Sequence, residues 1–121
     1  MHREVRAYLA DPRSFVDEKP VSDLERVLAM QIAIEAIDKT RNCRRYDKHL
    51  GRWVPTVTVD LLVEWTGKSE QMISVRLRSL ARRGLEFRRV LRKDVNGTPM
   101  YAYRGHATEF CVPPLPTIGD P

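Results

Sequence analysis

The stretch Thr58–Val90, TVDLLVEWTGKSEQMISVRLRSLARRGLEFRRV, decides how this chain folds. Its first part reads in one of two ways. Residues 56–59 form a short strand, or Thr58 caps a helix running VDLLVEWTG, with Asp60 and Glu64 outward and Leu61, Leu62 and Trp65 offering apolar contacts. Gly67 ends that segment in the manner of a helix C-cap, since glycine alone takes the left-handed backbone without cost. Only Lys68 intervenes before Ser69, a good N-cap, followed by Glu70 at the positive end of the next helix dipole. The spacing predicts a second helix over 69–83, with Ile73, Leu77, Leu80 and Ala81 on its core side. Gln71, Val75, Arg78 and Arg82 fall opposite, flanked by Ser74. Between Val75 and Gly84 the helix carries Arg76, Arg78, Arg82 and Arg83 and no acid.

Upstream, Arg3–Ala10 suits a short helix ending at the turn-like DPRS. Ser22 and Glu25 fit the S-x-x-E capping box at the head of a helix over 22–40. Its apolar residues Leu24, Val27, Leu28, Met30, Ile32, Ile34 and Ile37 cover more than one face, as expected of a helix buried on several sides, or against a second subunit. RNCRRYDKHLGRW, residues 41–53, reads as a basic loop from which Trp53 returns to the core. Downstream of Gly84, strand-like runs over about 85–92 and 99–104 flank DVNG, whose Asn-Gly is a hairpin signal, with Tyr101 and Tyr103 on one face. The segment HATEFCVPPLPTIGDP has four of the chain's eight prolines and reads as a passive tail, extended on the surface or disordered. The expected fold is α+β and mainly helical, divided into residues 1–54, 55–104 and 105–121.

The 121 residues suit a single folded unit. Fifteen of the 21 basic residues lie between 41 and 105, against six of the 16 acidic ones, an asymmetry that points to a polyanion. No apolar run is long enough to span a bilayer, and the N-terminus lacks a secretory pattern, so a cytoplasmic protein is expected. Two cysteines make no disulfide framework and read as thiols. Cys43 with His49, and His106 with Cys111, lack the usual zinc spacing, so no metal or other cofactor is expected. There is no Gly-rich phosphate loop, no metal-binding helical histidine pair and no nucleophile elbow, which argues against an enzyme.

A helix, then two helices about a turn, then a hairpin is the order of a winged helix-turn-helix. Residues of about 55–104 resemble that superfamily, as found in bacterial and phage regulators, through Thr58, the Gly67/Ser69 turn and LRSLARRGL. The resemblance implies a winged helix-turn-helix with an extra N-terminal helical segment, and double-stranded DNA as partner. Helix 69–83 would lie in the major groove. Its candidate DNA-binding residues are Ser69, Gln71, Ser74, Val75, Arg78 and Arg82. Gln71 suits adenine, Arg78 guanine and Val75 a thymine methyl, while Ser74 suits a base or phosphate and Arg82 the backbone. The wing offers Arg88, Arg89, Arg92 and Lys93, with Arg104 after its turn. Arg41, Arg44, Arg45, Lys48 and Arg52 form a second basic group. Trp53 and Trp65 read as core anchors, although unpaired bases stack on such rings. A small transcriptional regulator acting as a homodimer is the leading expectation. A protein-interaction module and a replication or recombination accessory factor are the alternatives.

Overall fold

The computed structural model describes residues 2–15, 19–37, 39–103 and 105–116. Their architecture is a small α+β fold of four helices and two small antiparallel hairpins. Helix α1 (His2–Ala10) buries Val5, Tyr8 and Leu9. Helix α2 (Asp23–Glu35) starts at the expected capping box: the Ser22 hydroxyl accepts from the Glu25 amide, and Glu25 Oε1 accepts from the Ser22 amide at 3.0 Å. It is shorter than expected at its far end and buries Leu28, Ala29, Ile32 and Ala33. Val27 and Ile34, seven residues apart, are left 43% and 57% exposed.

Thr58 proves to be a helix cap, accepting from the Leu61 amide, and α3 (Val59–Thr66) follows it. Gly67 closes α3 in the left-handed region. Ser69 then caps α4 (Glu70–Arg82), whose Ile73, Leu77 and Leu80 are buried and whose Ala81 is half-buried. Beyond Arg83, the Gly84 amide donates to the Ala81 carbonyl and the Leu85 amide to that of Leu80. This is the paired termination that a left-handed glycine allows.

The region around 41–55 departs from expectation. It is not a loop: β1 (Arg44–Asp47) pairs with β2 (Arg52–Pro55), Tyr46 opposite Trp53. Asp47 makes the turn, its carboxylate accepting from the His49 and Leu50 amides, while Gly51 supplies the left-handed residue. Trp53 does not return to the core; it is 51% exposed, and Trp65 is 39% exposed, so neither is a buried anchor.

The second hairpin is narrower than expected, with β3 (Arg92–Lys93) against β4 (Pro99–Met100). Its turn repeats the Asp device: Asp94 accepts from the Asn96 and Thr98 amides, and Gly97, not Asn96, takes the left-handed conformation. Below β3, residues 87–89 pair with the C-terminal segment. The Arg89 amide donates to the Glu109 carbonyl, and the Cys111 amide to that of Phe87.

The tail is therefore extended but not passive. Its other edge meets residues 41–43: the Cys43 amide donates to the Phe110 carbonyl, and the Val112 amide to that of Arg41. Phe110 and Val112 sit in the core with Leu85, Phe87, Leu28 and Ile32. Four prolines remove helix as an option but do not prevent a paired strand, because the prolines follow Val112. One buried cluster draws on the N-terminal helices, the α3–α4 pair and this tail together.

Candidate nucleic-acid interface

Helix α4 is amphipathic along its whole length, so packing Ile73, Leu77 and Leu80 inward fixes which residues face out. Ser69, Gln71, Ser74, Val75, Arg78 and Arg82 are all exposed. Among the described residues no ion pair involves Arg78 or Arg82. Arg83 lies elsewhere on the helix. Its guanidinium is 5.2 Å from the Phe15 ring centroid and donates to the Lys19 carbonyl, tying the helix end to those two residues.

A groove of about 620 Å³ runs between α4 and the second hairpin. Val75, Arg78, Ala81 and Arg82 form one wall; Glu86, Arg88 and Tyr101 form the other. Glu86 and Ala81 were not among the expected site residues, although strand alternation puts Glu86 on the same face as Arg88. Glu86 holds Arg88 in place, with Arg88 Nη2 2.6 Å from Oε1 and Nε 3.0 Å from Oε2. The Arg88 guanidinium lies 4.3 Å over the Tyr101 ring. Burial pushes the Tyr101 hydroxyl above its ordinary range, and Glu86 adds to the shift. Most of the Arg88 charge is thus met within the wall.

The adjacent Arg89 points another way, as alternation requires. Its Nη1 is 3.3 Å from Glu109 Oε1, and Arg44 Nε reaches the same oxygen at 3.3 Å. Glu109 thereby links the tail to the strands on both sides of it. Arg92 and Lys93 are exposed at the hairpin end, with Arg92 lying 4.3 Å over the Tyr103 ring. Arg104 lies outside the described residues. The structure therefore gathers Val75, Arg78 and Arg82 against Arg88 in one groove, sets Arg92 and Lys93 beyond it, and places Arg89 apart.

The second basic group also divides. Arg41 adopts a left-handed backbone, φ 63°, and donates through Nε to the Val112 carbonyl at 2.9 Å and through Nη2 to that of Pro113 at 2.6 Å. With Arg44 held by Glu109, this leaves Arg45, Lys48 and Arg52 exposed and outside any ion pair among the described residues.

Cys43 is fully buried, its Sγ 3.2 Å from the Ile32 carbonyl, and burial pushes its thiol up to about 12. Burial also raises Cys111. His49 and His106 are exposed, and no group of three or more His, Cys, Asp or Glu side chains with metal-binding geometry occurs among the described residues. No described helix is long and apolar enough to cross a membrane. No protein-family model, curated protein or solved structure matches the chain.

Proposed function

We propose that the protein binds double-stranded DNA as a small sequence-specific regulator, with α4 in the major groove and the 85–104 arm as a wing. The observation that carries this reading is the outward face of α4. Gln71, Ser74, Val75, Arg78 and Arg82 form an exposed stripe whose two guanidiniums are in no ion pair among the described residues, and nothing in the described fold covers it. The order of elements supports the winged helix-turn-helix resemblance. After α2 come an extended segment at 42–43 and the β1–β2 hairpin, then the α3–α4 pair and the arm, and the tail strand at 109–112 pairs with both that segment and residues 87–89.

Gln71 and Arg78 have the donor and acceptor sets for paired bonds to adenine and guanine, and Val75 supplies methyls for a thymine. Arg82, along the helix, and Arg92 and Lys93, at the end of the arm, suit phosphates. Arg88 shapes the groove wall and adds little net charge, because Glu86 offsets it. A homodimer would present two such helices to a two-fold site. Val27 and Ile34 on α2 are the apolar surface available for that pairing.

Titration into random-sequence duplex DNA, followed by anisotropy, tests the reading. Binding should be measurable at low salt and fall steeply as salt rises. Absence of binding at low salt would overturn it and leave α4 as a surface for another protein.

A further inference from the structure

The β1–β2 hairpin projects two large aromatic side chains that the core does not use. Tyr46 and Trp53 are each 51% exposed and meet edge to face, with ring centroids 5.8 Å apart. The register pairs Tyr46 with Trp53 and Arg44 with Pro55, and cross-strand partners share a face. On that face a groove of about 410 Å³ runs from Trp53 to Ile37, Asn42 and Arg44. This volume lies within the range of small-ligand sites, roughly 300–1,000 Å³. An exposed tryptophan costs apolar hydration, so a partner that covers its ring recovers that free energy.

The charges around the rings say what kind of partner fits. Lys39, which lines that groove, and Lys48, at the hairpin turn, are exposed and outside any ion pair among the described residues, whereas the register puts Arg45 and Arg52 on the opposite face. The hairpin's acid, Asp47, is engaged by the turn amides, and nearby Glu109 lies between Arg44 and Arg89. A flat aromatic surface edged by free cations is the arrangement that holds unpaired bases along a phosphate chain.

We propose that this hairpin face binds single-stranded nucleic acid, with an unpaired base stacked on Trp53 and its flanking phosphates on Lys39 and Lys48. The site is separate from α4 and takes a strand whose bases are not already stacked in a duplex. A protein with both surfaces would hold a duplex and an adjoining unpaired strand, as at an opened or unwound site. The hairpin proposal does not depend on α4 binding DNA, because each surface has its own probe.

The test uses the full chain carrying Trp65→Phe, which leaves Trp53 as its single tryptophan. Titration with a twelve-nucleotide dT strand should quench Trp53 fluorescence saturably, whereas a blunt duplex should leave it unchanged even where anisotropy reports duplex binding. In the otherwise wild-type chain, Trp53→Ala should weaken dT binding by about 5- to 150-fold. Duplex affinity should stay within about twofold, and circular dichroism checks that the fold is kept. Unquenched Trp53, equal dT affinity in Trp53→Ala, or no dT binding at low salt would overturn the proposal. Equal quenching by polyglutamate would also overturn it, marking the face as a dock for acidic protein.

Discussion

Phe110 and Trp53 are both large aromatics in segments that read as irregular, and their fates are opposite. Phe110 is fully buried within a proline-rich tail, while Trp53 stands half out of a basic hairpin. Hydrophobicity does not separate them. What does is whether a second element lies over the ring. Phe110 is enclosed because residues 41–43 and 87–89 flank its strand on both edges and the helices close over it. Trp53 lies on a two-stranded hairpin whose two strands, among the described residues, pair only with each other. A lone pair of strands has no sheet to bury a face against.

Phe110→Ala is the strongest way to break this comparison. It should cost about 3–5 kcal/mol in denaturant unfolding, a large share of the stability of a domain this size. Arg41→Ala should come next, at about 1–3 kcal/mol, since it removes both guanidinium bonds that clamp the tail yet keeps a left-handed non-glycine backbone. Arg41→Gly should lose less than Arg41→Ala, as glycine relieves the backbone strain, and thermal melts of the two variants check the order.

Glu25 probes the α2 end of the same core and has a pH signature. Burial alone would raise its carboxyl, but the Ser22 bonds, with the Ser79 hydroxyl and the Arg83 charge close by, outweigh burial and hold it below its ordinary value. A carboxyl lowered in the folded state stabilises above its unfolded value near 4.5, and that contribution disappears as pH falls through the folded value. Glu25→Gln should therefore melt below wild type at pH 6 by at most about 1 kcal/mol, and the gap should close toward pH 3. The smallest effect belongs to Trp53→Ala, expected within about 0.5 kcal/mol of wild type in the same assay. A loss there as large as that of Phe110→Ala would erase the distinction between the two aromatics.

Local signals are legible in the sequence and distant ones are not. Ser22 with Glu25, Thr58, Gly67 with Ser69, and Gly84 each act through bonds to residues a few positions away, so their roles follow from spacing. The outward stripe of α4 follows from the 3.6-residue period once Ile73, Leu77 and Leu80 face inward. The tail's role depends on Arg41 meeting Val112, 71 residues on, and no spacing within the tail reports that. The first hairpin is within reach: Asp47 with Gly51 is the same turn chemistry as Asp94 with Gly97, but without an Asn-Gly the stretch reads as loop. The partners of Arg88 and Arg89 divide the same way. Glu86 lies two residues from Arg88 in the chain, and Glu109 reaches Arg89 only through the tail pairing.

The functional reading stands on the outward face of α4. Its most direct test is the salt dependence of duplex binding for wild type and the Arg78→Ala/Arg82→Ala double variant, whose exposed side chains leave folding stability nearly unchanged. Wild type should show a linear fall of log affinity with log salt. The double variant should bind more weakly by roughly 1–3 kcal/mol at low salt, with a slope shallower by about 0.9 for each phosphate it no longer neutralises. Equal affinity and equal slope in the two proteins would contradict the placement of α4 in the groove.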